Sequence, residues 1–576
     1  MSWVKSVAVK TCNSKSQKNI GSDSECFHTG NRWWAFFVLL ISVLFVLGCY
    51  NMVNGDIWWH LRTGEYILES GSIPSTNLFA YTNADTPWID LHWLFQVAVA
   101  VTYEHFGTTG LVVFKSLIGA AAFGLLFLTV RQRLPGSLLA ICWLPFVWIY
   151  AGRYHVRPEM FSHFYLAFTL YILHRHSVGD RRWIWLLVPL QIVWVNSQGL
   201  FILELCVLGA YAIDVQCRRE NRSKINNIWS VVTICLLASL INPYGIEGAL
   251  FPLELLGKVG GEHRSFFQLL AGETQGMAEF LATYGLDGVV RSTTPRWMFL
   301  TAPICIAALL WSSFKRRDLV VYRWLLVLGF GYLAWNMNRN ASLYAIVWGF
   351  VLSGVIGDEV KNYTRCMSSP NGEAFNLMGF VSGLVFVFLG FSVFSAAVDI
   401  VQTNEVSGLH YPVRRAGFSE HSWYNHDAAR FVAALPGVDD VYVHYNGTGF
   451  AGLVIYHGYA RGDAASKRVF ADARLEANTV TVLEDFLAVL GDNDQDVDSM
   501  ELVLKKYSDT LPALVFKNSD LMVRRKLLDG LIKSKKWRSV YMSSTPNLAD
   551  GITVFVPDDV VKLYALDIVS VGLLRR

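Results

Sequence analysis

Between residues 33 and 397 the chain repeats apolar runs of membrane-crossing length, and every second gap between them collects Lys and Arg. Stretches of ~20 apolar residues bury all their backbone polar groups only as helices in a bilayer, so the pattern forces a polytopic membrane fold. Crossings are expected near 33–53, 110–130, 137–152, 159–174, 183–197, 199–215, 227–242, 297–314, 319–336, 341–357 and 376–397, about eleven in all. Lys5, Lys10, Lys15, Lys18 and Arg32 precede the first. Arg131/Arg133, Arg175/Arg181/Arg182, Arg218/Arg219/Arg222/Lys224, Lys315/Arg316/Arg317 and Lys361/Arg365 then mark alternate gaps. These gaps, and the N-terminal segment 1–32, are cytoplasmic by the positive-inside rule. The chain is 53% hydrophobic and 16% charged, which suits a bilayer. Its net charge of +3 and lack of a basic stripe set aside a nucleic-acid partner.

The segment 91–106 has too short an apolar run to cross, and a crossing there would put Arg131/Arg133 outside. It is expected as an interfacial helix on the outer surface. The outer face then gathers the loop 54–109, the Arg153–Glu159 turn, the Asn196–Gly199 corner, the connection 243–296, the Asn338–Asn340 corner and everything after 397. The connection 243–296, with Glu262, His263 and Arg264, is long enough to cover a site. All nine cysteines fall in crossings or cytoplasmic segments, and no spacing suggests zinc or requires a disulfide. The N-terminus reads as an uncleaved signal anchor of a multi-pass plasma (inner) membrane protein. Residues 33–397 form the membrane domain. Residues 398–576 alternate strand-like runs near 441–445, 467–472, 514–517, 539–542 and 552–556 with helical stretches, predicting an extracytoplasmic α/β domain.

The chemistry concentrates at the outer helix ends. Asp56 and His60 in Asp56-Ile57-Trp58-Trp59-His60 share a face at i, i+4 if the first crossing continues as helix. Asp90 and His92 form a second acid/imidazole pair. Such groups can hold a divalent cation or act as a general base with an orienting partner. The plain alternatives are a helix cap for Asp56 and an interfacial belt for the histidines and Trp58/Trp59. Arg153 and Arg157 stand a turn apart and, with Arg339, can grip a phosphate or snorkel to headgroups. Glu159 after Pro158 suits a helix start. Asn196 and Gln198 can bond a polar ligand or simply turn a helical corner, and Asn242-Pro243-Tyr244-Gly245 reads as a helix stop. The Tyr445–Gly449 turn can touch a glycan, though a strand-to-helix turn suffices.

The run Asp56-Ile57-Trp58-Trp59-His60-Leu61-Arg62-Thr63-Gly64, with Gly71-Ser72-Ile73-Pro74, Phe79-Ala80-Tyr81-Thr82 and Trp88-Ile89-Asp90-Leu91-His92, resembles the first outer loop of bacterial GT-C glycosyltransferases. Arg157-Pro158-Glu159, Trp194-Val195-Asn196-Ser197-Gln198-Gly199, Asn242-Pro243-Tyr244-Gly245 and Phe470-Ala471-Asp472-Ala473-Arg474 extend the likeness, which is to the protein mannosyltransferase and aminoarabinose transferase group. The resemblance implies a membrane glycosyltransferase that moves a sugar from a polyprenyl-phosphate donor to a glycan, lipid or protein acceptor outside the cytoplasm. It implies Asp56 as catalytic base or metal-associated acid. His60 stands beside Asp56 as a catalytic candidate. Asp90, His92, Arg153, Arg157, Glu159, Asn196, Gln198 and Arg339 are the substrate-binding candidates, and a divalent ion, Mg or Mn, would sit on Asp56 and Asp90. The chain departs from the pattern at Asn77, where relatives often have Asp, and at Gln198, where they often have His. The alternatives are a transporter or flippase and an inactive scaffold acting through the C-terminal domain.

Overall fold

The computed structural model describes residues 31–576 except 85, 262–263, 265–273, 367–381, 392, 395–416, 421–423, 445–448, 460–465, 475, 492–495, 544–547, 572–573 and 575–576. The N-terminal segment before residue 31, Glu262, His263 and the Tyr445–Thr448 stretch lie outside the described residues. In chain order the helical body comprises α1 (Asn31–Gly48), α2 (Ile57–Ser70), α3 (Trp93–Thr129), α4 (Gly136–Ala151), α5 (Glu159–Ser177), α6 (Leu187–Val195) and α7 (Ile202–Cys217). It continues with α8 (Arg222–Ala238), α9 (Gly245–Gly260), α10 (Met277–Arg291), α11 (Thr293–Arg316), α12 (Val321–Asn336) and α13 (Ala341–Cys366). All but α2, α9 and α10 fall on expected crossings. By length and composition alone, five helices among the described residues suffice to cross a membrane: α1, α3, α7 and α13 with their preceding 3-10 turns, and α11. The last expected crossing lies partly outside the described residues, and a short apolar helix, α14 (Ser382–Phe391), stands within it.

Local sequence explains several boundaries. Pro158 and Glu159 open α5, and His174, Arg175 and His176 close it, so charge complements the helix dipole at both ends. Gly107 has φ 58° and ψ −156°, a conformation open to glycine, and it splits α3 into arms 93–106 and 108–129. The first arm is thus a helix distinct from the crossing. Gly64, which ends the first-loop motif, lets α2 lie directly on that arm, since a Cβ there would come within 2.2 Å of the Gln96 carbonyl.

One expectation is corrected. The first crossing does not continue as helix through Asp56; α1 ends at Gly48 and α2 starts at Ile57. The intervening backbone is claimed by the C-terminal domain. Met52 N–H donates to Ser419 O at 2.9 Å, and Asn51 Oδ1 accepts from Ser419 N and Oγ at 3.3 and 3.1 Å.

The C-terminal domain builds a five-stranded sheet in the order β2-β1-β3-β5-β4 from β1 (Asp440–His444), β2 (Arg468–Val469), β3 (Ala513–Lys517), β4 (Trp537–Met542) and β5 (Ile552–Pro557). β2, β1 and β3 pair in parallel, β5 pairs antiparallel with both β3 and β4, and helices such as α15 (His426–Ala434), α16 (Gly449–Gly458) and α17 (Val480–Leu490) cover the sheet. All five strands were legible as alternating or continuous apolar runs. Asn425, Thr479 and Asp496 cap their helices through side-chain oxygens.

The first loop and this domain are joined edge to edge. Val469 N–H donates to Phe79 O at 2.7 Å and Tyr81 N–H to Val469 O at 3.1 Å, so loop residues extend the sheet beyond β2. Arg474 completes the joint. It is fully buried, bonds both Asp472 oxygens (2.9 and 3.1 Å from Nε) and reaches Asn77 Oδ1 at 2.6 Å. Its guanidinium carbon lies 4.4 Å from the Trp88 ring centre, 4.9 Å from Phe79 and 5.7 Å from Trp59. Trp58, Trp59 and Trp88 are all buried, so they are core residues, and neither a membrane belt nor exposed sugar platforms.

Removing one partner of a buried ion pair costs about 3–5 kcal/mol, whereas apolar replacement of both is often near neutral. Arg474→Ala should therefore lower the thermal midpoint and open the C-terminal domain to protease, while the double change Asp472→Leu/Arg474→Met should do less damage. Equal damage from both would show that the ion pair itself is not what holds the joint.

Candidate functional site

The stretch between α1 and α2 lies along the turn between α4 and α5. Tyr50 contacts the Tyr154 carbonyl and His155 Nδ1, and Asn54 Nδ2 donates to Val156 O at 3.4 Å. This brings together acids and guanidiniums about a hundred positions apart. Arg157 donates to Asp56 Oδ2 at 2.7 Å and to Asn54 Oδ1 at 3.1 Å. Asp56 makes no side-chain capping bond to α2, so its carboxylate faces Arg157 and the cap reading fails. Both side chains are 22% exposed, enough for a ligand to reach them. Next to them Glu159 accepts from Arg153 at 2.9 and 3.2 Å and from Arg339 at 2.9 Å. Three guanidiniums and two carboxylates thus meet at this point.

A second polar group lies beneath the loop. Asp90 Oδ1 accepts from Gln96 Nε2 at 3.0 Å and from His92 N–H at 3.1 Å, with His92 Nδ1 3.6 Å away. Tyr244 holds it from the far side, accepting the Asp90 N–H at 3.0 Å and donating to Pro74 O at 3.2 Å. The Asn242–Gly245 run therefore stops a helix and also braces the site. Asp90 Oδ2 and Gln96 Oε1 are buried acceptors with no hydrogen-bond partner among the described residues, the condition of groups that await a donor. His60 sits against this group, 3.5 Å from Gln96 and 5.9 Å between ring centres from His92. Burial above all, then the charges of His92, Arg157 and Arg474, holds its imidazole well below 6.5 and neutral. For His92 burial pulls down, but the Asp90 carboxylate beside it and other nearby acids, Glu476 first, raise it above 6.5.

Two candidates are structural. Asn196 accepts from Trp93 Nε1 at 3.0 Å and donates to Ile192 O and Ile241 O, both at 2.8 Å, which pins the corner after α6. Gln198 Oε1 accepts from Ser162 at 3.0 Å and from the Leu200 N–H, as a helix cap does. Asn77, the other departure, is a joint residue bonded to Arg474 and, at 3.3 Å, the Ala477 carbonyl. Asp56 and Asp90 belong to separate clusters. Among the described residues no three His, Cys, Asp or Glu side chains gather as metal ligands, and Arg157 donates to Asp56. Asn54, Tyr244 and Arg474 were missed as functional groups. Asn54, two residues before the acid, carried the one local signal.

No family model and no curated protein matches the chain. Among solved structures, it is similar to the apo oligosaccharyltransferase of Archaeoglobus fulgidus at 12% identity and TM-score 0.52, over 90% of this chain and 74% of that one. It is similar also to oligosaccharyltransferase AglB of that organism in complex with an inhibitory peptide and a dolichol-phosphate, at 12% and 0.51, over 89% and 73%. ArnT from Cupriavidus metallidurans bound to undecaprenyl phosphate aligns over 91% and 98% at 13% identity, with a TM-score of 0.45. The chain has the GT-C membrane fold with a C-terminal sheet domain.

The raised His92 and lowered His60 act on stability with opposite signs. A raised imidazole stabilises the fold fully below 6.5 and loses that contribution as pH rises through its folded value. The difference in thermal midpoint between wild type and His92→Gln in nanodiscs should therefore be largest in acid and vanish on the alkaline side. A pH-independent difference would rule out the charged His92–Asp90 pair.

Proposed function

We propose that this chain transfers a sugar from a polyprenyl-phosphate donor to an extracytoplasmic acceptor, with inversion, and that Asp56 is the base. The observation that carries the proposal is the Asp56–Arg157 pair beside the Glu159–Arg153–Arg339 group, partly open at one end of the helical body. The fold it shares with AglB, one structure of which holds a dolichol-phosphate, supports a lipid-phosphate donor.

In this reading the donor's prenyl chain lies along the crossings and its phosphate meets the guanidiniums of Arg153, Arg157 and Arg339. The acceptor hydroxyl approaches Asp56, which takes its proton as the oxygen attacks the anomeric carbon. The carbon–oxygen bond to phosphate breaks, and the negative charge that develops there is met by guanidiniums held in place beforehand by Glu159 and Asn54. His60, neutral at physiological pH, lies buried beside Asp90 and Gln96 and braces the loop under the site. No step passes through a metal.

A second reading, transport, draws on Glu204 of α7, whose two buried oxygens have no hydrogen-bond partner among the described residues. It would make Glu204→Gln, rather than a change at Asp56, the disabling substitution.

Loss of a general base typically costs 10²–10⁴-fold in rate, about what Asp56→Asn should remove. Cells carrying that variant should match a deletion, accumulating a polyprenyl-phosphate sugar and losing one glycan modification, with the protein inserted normally. A wild-type profile would refute the assignment. Chelation of divalent ions should leave the activity of purified membranes unchanged, and a loss restored by Mg or Mn would show that Arg157 yields Asp56 to a metal.

A further inference from the structure

α9 lies in the long connection after α8, is only 16 residues long and carries Glu247, Glu254 and Lys258, so it is not a crossing. Its apolar residues are nonetheless turned outward. Ile246 is 65% exposed, Leu250 54%, Leu253 53% and Leu256 59%. On a helix of 3.6 residues per turn, the first three fall within about 60° of one another, with Leu256 at the edge of the stripe. Glu247 and Glu254 share one shoulder, roughly 80–100° from Ile246.

The opposite face belongs to the protein. Phe251 packs on the membrane core, and Leu255 on the core of the C-terminal domain. Lys258 Nζ donates to Asn478 O at 2.7 Å, beside the Asn77 and Arg474 joint. Tyr244, immediately before α9, braces Asp90 and Pro74. The outward stripe also continues an exposed apolar surface of α8, which falls on an expected crossing. Leu236, Leu237, Leu240 and Ile241, at the end of α8, are 59, 58, 43 and 56% exposed, and three residues separate Ile241 from the start of α9.

We propose that α9 is an in-plane membrane helix. Its stripe rests among the acyl chains of the leaflet on the C-terminal domain's side, and its opposite face clamps the first loop and the C-terminal domain at that height. An apolar face with acids on its polar shoulder, and with Lys258 turned to the Asn478 carbonyl, calls for the hydrocarbon boundary and not for anionic headgroups. The continuity with α8 selects lipid as the occupant over a second copy of the chain. The inference stands apart from the reaction assigned above, because it concerns only what covers this face.

The test is a fluorescence scan of the full chain in phosphatidylethanolamine/phosphatidylglycerol vesicles, with an environment-sensitive fluorescent amino acid placed in turn at positions 246 to 257. Quenching by lipids with a shallow acyl-chain nitroxide should peak at 246, 250, 253 and 256 and fall at 247 and 254, with water-soluble iodide giving the inverse pattern. Iodide reaching all positions equally would overturn the proposal. So would a stripe shielded from both quenchers, the signature of a second copy or another protein on this face. The readout needs no activity, so Asp56→Asn protein serves equally well, and failure here leaves the transferase reading untouched.

Discussion

A guanidinium buried out of reach of water is costly unless its charge is paired, and Arg474 is the point on which this molecule's two parts meet. Its charge is met by Asp472, one further N–H by Asn77, and its faces by Trp88, Phe79 and Trp59. Each of these partners fixes something else. Asn77 and Phe79 set the register of the loop against β2, Trp59 sets the rotation of α2, and Trp88 leads into Asp90. The position of Asp56 at the end of α2 follows from the same joint, because α2 cannot turn without disturbing the cage around Arg474.

The site shows the same economy in its charges. Asp56 and Glu159 hold the three arginines around them still. Guanidiniums already oriented need no rearrangement when an anion arrives, and the partly dry setting strengthens their effect. Asn54 adds a neutral acceptor that directs Arg157 without consuming its charge.

Local chemistry explains what the amino-acid order disclosed. Most of the helices and all five strands follow from periodicities within a dozen residues, and the helices and sheet of the structure lie where those periodicities put them. Asp56 and Arg157 stood out because charge at the edge of an apolar run is rare. Their direct pairing did not, since it joins residues 101 positions apart. Short polar residues misled in the other direction. Asn196 and Gln198 look like ligand groups but spend their bonds on a corner, and a corner and a binding site ask for the same residue types. The tryptophans misled for a related reason, since an indole next to a crossing is equally at home in an interface and under a domain that the local pattern does not reveal.

The separation between joined parts also sets an order of events. Asn77 bonds to residues 397 and 400 positions later, and Thr82 to one 388 later. The first loop leaves the ribosome long before its partners exist. Through most of synthesis its strand edge is unpaired and its aromatic cage has no cation, the kind of surface that invites wrong partners. The helices can insert one after another, but the region around Asp56 takes its final form only when the last fifth of the chain has emerged. A message cut short anywhere before that point would yield a protein that spans the membrane and has no finished centre.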